Sequence, residues 1–194
     1  MNAEVARRVT VRAARPGDAA AIRELDGLSA SSRSLVDHDL SAADRCCLVA
    51  VAGHPADAEV AGAGEVAGDG GVVGDAEVAG DVVVVGYAAA LVQLGEAEVL
   101  DLVVTPRLRG QRVGSLLFDA LLDAAKEHGA DAVTLEVRPD NTVSRALYRH
   151  RGFVVEGRRP DYYADGSDAL IMWRRPVPAA PEADRDAADH REDR

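Results

Sequence analysis

Residues 105–115, TPRLRGQRVGS, are the first part of the chain whose residue types suggest binding chemistry. They join an apolar run to a stretch with helical periodicity, so a turn that contains glycine opens onto a helix N-terminus. The unpaired backbone N–H groups of such a turn favour a phosphate or pyrophosphate, and Arg107, Arg109 and Arg112 add positive charge. Solvated arginines at an ordinary helix N-terminus would give the same pattern. The Gly-Lys-Ser/Thr ending of a Walker loop is absent.

Residues 100–115, LDLVVTPRLRGQRVGS, resemble the acetyl-coenzyme A signature of the GNAT acetyltransferase superfamily. In that signature a strand ending in hydrophobic-Val-x-Pro precedes Arg/Gln-x-x-Gly-x-Gly/Ala at the start of a long helix. Arg109 and Gly114 match the ends of the second pattern, whereas Arg112 replaces its inner glycine. Residues 134–153, TLEVRPDNTVSRALYRHRGF, are similar to the second half of the same fold. Their LEVR, Asn, ALY and GF groups are similar, more narrowly, to the bacterial ribosomal-protein-alanine N-acetyltransferase branch.

The resemblance implies acetyl-coenzyme A as the cosubstrate. We expect no metal, because the histidines and cysteines lack metal-ligand spacing. The resemblance also implies that the strand ending at Val104 separates from its neighbour and pairs its backbone with the pantetheine arm. Residues 110–115 would then hold the pyrophosphate. A Cβ at position 112 could crowd that pyrophosphate, while the arginine charge and the nearby Gly110 could compensate. The coenzyme-binding residues implied in this way are Leu102, Val103, Val104, Arg109, Gly110, Gln111, Arg112, Val113, Gly114, Ser115 and Asn141.

Glu136 is the candidate general base. Along residues 132–137 it shares the polar face with Thr134, while Val133, Leu135 and Val137 point the other way. An amine must lose a proton before it attacks a thioester, and a nearby carboxylate can remove that proton directly or through water. A solvated strand acid is the alternative interpretation. The resemblance places Glu136 at the catalytic glutamate of the family.

Tyr148 is the candidate general acid, because the resemblance places it where the family has its catalytic tyrosine, which protonates the departing thiolate. It follows Asn141 by seven residues and therefore shares its helix face. A core ring with its hydroxyl at the surface is the alternative for Tyr148, and Asn141 could cap the helix, contact the coenzyme, or do both. The paired Tyr162 and Tyr163 lie in a polar loop where they are poor core candidates, and the resemblance implies that they hold an acceptor peptide.

Apolar periodicity predicts the elements that must position these residues. Asp18 is expected to cap the first helix. The element order, with one uncertain second helix, indicates an α+β domain, and the resemblance implies a GNAT-like central mixed, mostly antiparallel sheet flanked by helices. The predicted strands cover residues 9–12, 46–52, 82–92, 99–104, 132–137, 153–156 and 169–173, and the predicted helices start near residues 19, 113 and 142.

Composition predicts one globular domain. The resemblance implies that residues 9–175 are an acetyltransferase domain, with one segment inserted into it and an appendage at each end. Residues 53–81 hold seven acids, no Lys or Arg, and a repeated DAEVAG, which indicates a low-complexity insertion. Residues 1–8 are interpreted as an N-terminal extension and residues 176–194 as a disordered acidic tail. Cys46 and Cys47 are adjacent, which indicates no disulfide framework. None of the five histidines forms a metal-binding pair at helical spacing.

The sequence thus predicts an acyltransferase that uses acetyl-coenzyme A, with direct attack of an amine on the thioester. The expected acceptor is the α-amino group of a protein N-terminus, as in the ribosomal-protein-alanine type. Two alternatives are a small-molecule amine as acceptor and a non-catalytic acyl-coenzyme A sensor. Nucleic-acid binding through the arginine-rich residues 138–160 is a weaker rival, because coenzyme phosphates also explain those arginines. We expect no membrane segment, since no apolar run approaches 18 residues. We also expect a cytoplasmic protein that is a monomer or a homodimer.

Overall fold

The computed structural model describes residues 9–27, 42, 44–53 and 82–176. Within these residues seven strands and three helices follow one another in the predicted order, with short 3₁₀ turns at Pro16–Asp18 and Pro106–Leu108. The strands and helices are β1 (Val9–Ala13), α1 (Ala19–Asp26), β2 (Arg45–Gly53), β3 (Val82–Gln93), β4 (Glu96–Val104), α2 (Val113–Glu127), β5 (Ala132–Val137), α3 (Thr142–Arg149), β6 (Val154–Arg159) and β7 (Ala169–Arg174).

The strands form one sheet in the order β1-β2-β3-β4-β5-β7-β6. Only the central pair β4 and β5 is parallel among the described neighbours, which confirms the mixed, mostly antiparallel sheet. β4 starts at Glu96 rather than at residue 99. Leu94 and Gly95 both have positive φ and form a two-residue hairpin turn, so pairing with β3 resumes at once. β6 also extends further than predicted, to Arg159.

Two hydrophobic cores cover the two faces of the sheet. The α2-side core joins α2 and α3 to one face and includes Leu117, Phe118 and Leu135. The α1-side core joins α1 to the other face and includes Ile22 and Tyr87. Central strands that are buried on both faces read as continuous apolar runs, which is why β2 and β3 are conspicuous in the sequence.

Cys46 and Cys47 illustrate the alternation of β2 between the two cores. Cys46 belongs to the α2-side core and Cys47 to the α1-side core. Both thiols are free and buried. Burial raises the pKa of Cys46, and it raises the pKa of Cys47 to about 12.

The prediction that Asp18 caps α1 through its side chain is wrong. Asp18 is the residue before the first turn of α1, but its side chain makes no cap hydrogen bond to the helix. Its carboxylate instead accepts hydrogen bonds from the backbone N–H of Arg15, at 2.7 Å, and from the guanidinium of Arg12, at 2.7 and 2.9 Å. Asp18 is 8% exposed, so the ion pair with Arg12 compensates a buried charge.

Several expectations concern residues outside the described ranges. These are the N-terminal extension at residues 1–8, the second helix, nearly all of the insertion at residues 53–81, and the tail beyond residue 176.

Gly86 is required where β3 pairs with the end of β4. A Cβ added at this position would lie 2.7 Å from the carbonyl oxygen of Val103 and 3.0 Å from Cδ1 of Leu117. The first contact is with the backbone, so the sheet itself would have to move. The glycine thus allows β3 and β4 to approach each other beneath α2.

We expect Gly86→Ala to lower the free energy of unfolding by about 1–3 kcal/mol, the usual cost of overpacking a buried site. Gly17→Ala is the matched control, because an added Cβ at Gly17 meets no atom within 4 Å. Urea unfolding followed by circular dichroism measures both variants. Equal stabilities of the two variants would contradict the steric role of Gly86.

Arg112, the residue immediately before α2, has a strained backbone conformation. Its φ is 64° and its ψ is 3°, the left-handed region that non-glycine residues rarely adopt. Arg112 is also exposed, so its side chain packs little against the protein. Arg112 replaces the inner glycine of the GNAT signature, and its backbone has a conformation that glycine adopts more easily.

Replacing Arg112 by glycine removes this strain, which costs roughly 1–2 kcal/mol for an L-residue. Part of the gain is offset by the greater freedom of glycine in the unfolded chain. We expect Arg112→Gly to raise the free energy of unfolding by about 0.5–1 kcal/mol in thermal or urea unfolding. Arg107→Gly, at a position in the 3₁₀ turn, should destabilise instead, and a loss of stability in both variants would refute the strain.

Candidate active site

The candidate site lies where β4 and β5 part. Their parallel register runs from Glu96 opposite Ala132 to Val99 opposite Leu135 and then ends. β4 continues beyond this point on its other side, where Val104 pairs with Gly86 of β3. Within the described residues, no ladder pairing continues along the β5 side of residues 102–104. The sheet is therefore split at its centre.

A bulge marks the point of separation. β4 has one extra residue, Leu100, between the pair Val99–Ala90 and the pair Asp101–Ala89. Bulges bend the strand that carries them and increase its local twist. The bend directs the last residues of β4 away from β5, so a cleft opens between the two strands.

This cleft has a volume of about 120 Å³. It brings together residues that are distant in sequence, from β4, β5, α3 and the loop between β6 and β7. Six of the residues predicted for the site line it: Leu102, Glu136, Asn141, Tyr148, Tyr162 and Tyr163.

Glu136 reaches the cleft from the α1 side of the sheet. Its neighbours Leu135 and Val137 belong to the α2-side core, so strand alternation directs Glu136 to the opposite face. Its side chain is 14% exposed, and its Oε1 lies 3.1 Å from Nη2 of Arg159. A partly shielded carboxylate beside an open cleft is a suitable proton acceptor.

Tyr148 reaches the same cleft from the opposite face. It is 7% exposed and belongs to the α2-side core, where its ring centroid lies 4.9 Å from that of Phe118. Burial raises the pKa of Tyr148 to about 12, although a hydrogen bond with the Ser144 side chain acts in the lowering direction. The phenol therefore keeps its proton at neutral pH, as a general acid must.

Asn141 fixes the start of α3. Its side-chain oxygen accepts a hydrogen bond from the backbone N–H of Ser144 at 3.1 Å, which confirms that it caps the helix. It also lines the cleft. The cap therefore sets the direction in which α3 presents Tyr148.

The loop after β4 is a tight turn that leads into the N-terminus of α2. Gly110 has a φ of 74°, and Arg112, two residues later, also has a positive φ. The backbone N–H groups at the start of α2 follow directly after this turn. Arg109 donates from Nε to the Val104 carbonyl at 3.2 Å, which ties the loop to the end of β4. Val113 is 1% exposed and has its side chain in the core, so only its backbone can face a ligand.

The remaining loop residues of the prediction lie in the same turn. Gln111 donates from Nε2 to the Arg107 carbonyl at 3.1 Å and is therefore engaged within the loop. Gly114 lies in the first turn of α2, where an added Cβ would meet the Val104 side chain at 3.7 Å, an ordinary contact. The carbonyl of Ser115 accepts a hydrogen bond from Arg151 at 3.4 Å, so its carbonyl side faces the protein.

Tyr163 differs from the sequence expectation. It is 7% exposed, so the prediction that it is a poor core candidate is wrong. Its ring packs under the Arg138 guanidinium at 3.8 Å and against the Tyr162 ring, with centroids 5.0 Å apart. Arg138 in turn binds Asp165 at 2.9 Å and also the Ser167 hydroxyl. These contacts anchor the loop between β6 and β7 to the end of β5.

Four residues at the site were not found from the sequence. Asp101 and Ser144 line the cleft, Arg138 both lines the cleft and anchors the loop, and Arg159 contacts Glu136. Asp101 is 6% exposed and interrupts an apolar run, which is a detectable signal for a special position. Arg138, Ser144 and Arg159 give no such signal. The side chains that they contact lie on other elements or, for Ser144, on the next turn of the same helix.

Two kinds of feature are absent from the described parts of the chain. No described helix has both the length and the apolar character needed to cross a membrane. Among the same residues, no three His, Cys, Asp or Glu side chains are grouped so that they could hold a metal ion.

Part of the chain is similar in sequence to curated N-acetyltransferases. The N-alpha-acetyltransferase RimI of Mycobacterium tuberculosis is 42% identical over 96 residues, which are 46% of this chain and 58% of that protein. The [ribosomal protein bS18]-alanine N-acetyltransferase of Haemophilus influenzae is 34% identical over 92 residues, 45% of this chain and 62% of that protein. The chain thus spans about three-fifths of the length of these curated relatives.

Solved structures extend the similarity to nearly the whole fold. The crystal structure of Ard1 from Thermoplasma volcanium matches with a TM-score of 0.63 and 26% identity, covering 88% of this chain and 99% of that chain. The NatC complex bound to Gag peptide and CoA matches with a TM-score of 0.65 and the same coverages, but at 15% identity it shows the fold alone.

The sequence profile described as the acetyltransferase (GNAT) family matches residues 36–153, which are more than half of the chain. That range includes the parted strands, the turn before α2, Glu136 and Tyr148. The chain belongs to the GNAT acetyltransferase family.

Proposed function

We propose that this protein is an acetyl-coenzyme A-dependent N-acetyltransferase that modifies the α-amino group of a protein N-terminus. The observation that carries the proposal is the arrangement of Glu136 and Tyr148, which enter one cleft from opposite faces of the sheet. A proton acceptor and a proton donor on the two sides of a bond-forming site are what amide formation from a thioester requires.

The residues present fit the coenzyme. Backbone groups of residues 102–104 that face away from β3, other than the Val104 carbonyl already bound by Arg109, would hold a pantetheine arm, and the turn at Gly110 would hold the pyrophosphate at the N-terminus of α2. The N–H groups of that turn, with the charges of Arg109 and Arg112, suit a pyrophosphate. The coenzyme would supply an acetyl group activated as a thioester.

Glu136 and Tyr148 would share the proton transfers. Glu136 takes a proton from the acceptor ammonium, and this leaves a neutral amine whose nitrogen attacks the thioester carbonyl carbon. Tyr148 gives its proton to the sulfur as the C–S bond breaks and the C–N bond remains. The phenolate then recovers a proton from the nitrogen, which becomes the amide, and Glu136 returns its own proton to solvent. Each residue ends in its starting state, so the cycle balances.

The acceptor would enter from the α1 side of the sheet. Glu136 faces that side, and Tyr162 lines the cleft beside it. The names of the relatives support a protein N-terminus as acceptor, because one is an N-alpha-acetyltransferase and another acts on an alanine of ribosomal protein bS18. A ribosomal-protein alanine is therefore the first acceptor to test.

We expect Tyr148→Phe and Glu136→Gln each to lower kcat on the order of 100-fold, the usual contribution of a general acid or base. The assay is acetyl transfer to a set of peptides with different first residues, together with a panel of small amines. Binding of coenzyme A, measured by calorimetry, should change little in both variants. Coenzyme binding without transfer to any acceptor would favour an acyl-coenzyme A sensor instead.

The role of Tyr162 distinguishes a peptide acceptor from a small amine. We expect Tyr162→Leu to raise KM for a peptide about 5-fold or more, since truncating an aromatic contact costs at least ~1 kcal/mol, while KM for any small amine that is acetylated stays unchanged. Tyr163→Phe is the control, because it keeps the ring that packs under Arg138. Equal losses for peptide and small amine would remove the support for a peptide acceptor.

A further inference from the structure

Arg159 connects the candidate base to the candidate acceptor site. From the last position of β6, its Nη2 lies 3.1 Å from Oε1 of Glu136, and its guanidinium carbon lies 5.3 Å from the centroid of the Tyr162 ring. The Arg159 side chain is 49% exposed, so an acceptor can reach it. Arg159 is thus in contact both with the residue proposed to take the proton and with a residue proposed to hold the acceptor.

We propose that Arg159 is a positioning residue that holds the Glu136 carboxylate in its reactive orientation. This inference rests on the proposed function, since it assigns a task to a residue that acts through Glu136. A glutamate side chain has three rotatable bonds, and fixing a reactive group in one geometry can be worth a large factor in rate.

The geometry of the ion pair leaves the carboxylate available for chemistry. Arg159 contacts Oε1 of Glu136. A carboxylate has two oxygens and about four acceptor positions, so Oε2 can take a proton from the acceptor while Oε1 stays bound. A guanidinium is also always charged and does not compete for that proton.

The neighbouring arginines are engaged elsewhere. Arg138 is bound to Asp165 and Ser167, and Arg158 is bound to Asp168. Strand alternation also directs Arg158 and Arg159 to opposite faces of β6. Arg158 therefore provides a neighbour of the same type, on the same strand, whose ion pair involves neither Glu136 nor Tyr162.

The Tyr162 ring gives the ion pair a connection to the acceptor. A guanidinium over an aromatic face is attracted by the electrons of the ring. An acceptor that packs on Tyr162 would restrict the movement of that ring, and through it the movement of Arg159. Glu136 would then be held most firmly when the acceptor is present.

The test compares Arg159→Gln, Arg159→Lys and Arg158→Gln in steady-state kinetics with a peptide acceptor. We expect Arg159→Gln to lower kcat about 10-fold with KM for the peptide within a factor of two, because orientation is lost and binding is kept. Arg159→Lys should recover part of the loss. Arg158→Gln should keep the parental kcat, and coenzyme A binding and circular dichroism should be unchanged in all three.

A double-mutant cycle separates this role from a general structural one. In the Glu136→Gln background, Arg159→Gln should cause no further loss of kcat, because the group that it positions is gone. An equal loss of kcat in both backgrounds would overturn the proposal. A kcat of Arg159→Gln as high as that of Arg158→Gln would overturn it as well. A lower KM for the peptide with kcat unchanged would also overturn it, because Arg159 would then be a competitor of the acceptor ammonium.

The same experiment distinguishes failure of this inference from failure of the proposed function. If Glu136→Gln alone keeps the parental kcat, Glu136 is not the base, and the proposed mechanism fails. If Glu136→Gln is impaired and Arg159→Gln is not, the proposed function stands and only the role of Arg159 is refuted.

Discussion

The end of the hydrogen-bond ladder between β4 and β5 is the constraint on which the site depends. A central pair of strands normally satisfies its backbone groups along its whole length, and a buried N–H or C=O without a partner is costly. Here the ladder ends at Val99, the bulge at Leu100 bends β4 away, and a cleft takes the place of the missing rungs. The neighbouring strands must hold β4 and β5 at a fixed separation. β3 holds β4 along its other edge and β7 holds β5, so each half of the split remains part of a complete sheet.

The two cores give the two sides of the split different surroundings. Because α1 covers one face and α2 with α3 cover the other, the cleft connects two different environments through the sheet. Glu136 belongs to the first environment and Tyr148 to the second. A proton acceptor and a proton donor can therefore be close to one cleft without neutralising each other by direct contact. The aromatic packing of Tyr148 on Phe118 and the ion pair of Glu136 with Arg159 hold the two groups in place from opposite sides.

Most elements could be predicted because their signals are local. Apolar runs, the cap at Asn141 and the signature around Gly114 lie within a few residues of the elements that they determine, and the resemblance adds the roles of Glu136 and Tyr148. Contacts between distant elements could not be predicted in this way. The pair of Arg159 with Glu136 spans β6 and β5, which have β7 between them in the sheet. Tyr163 looked solvent-exposed in a loop of polar residues, since its burial depends on Arg138 at the end of another strand.

The alternation of β2 between the two cores gives the protein a pair of internal reporters. The thiols of Cys46 and Cys47 are one residue apart in the chain, yet each belongs to a different core. Both are buried and have raised pKa values. A reagent that needs an accessible thiolate therefore reacts with neither while the helices cover the two faces of the sheet. Alkylation of Cys47 alone would mean that α1 had lifted from the sheet, and alkylation of Cys46 alone would mean that α2 had done so. The order in which the two thiols react would therefore reveal which layer of the molecule opens first.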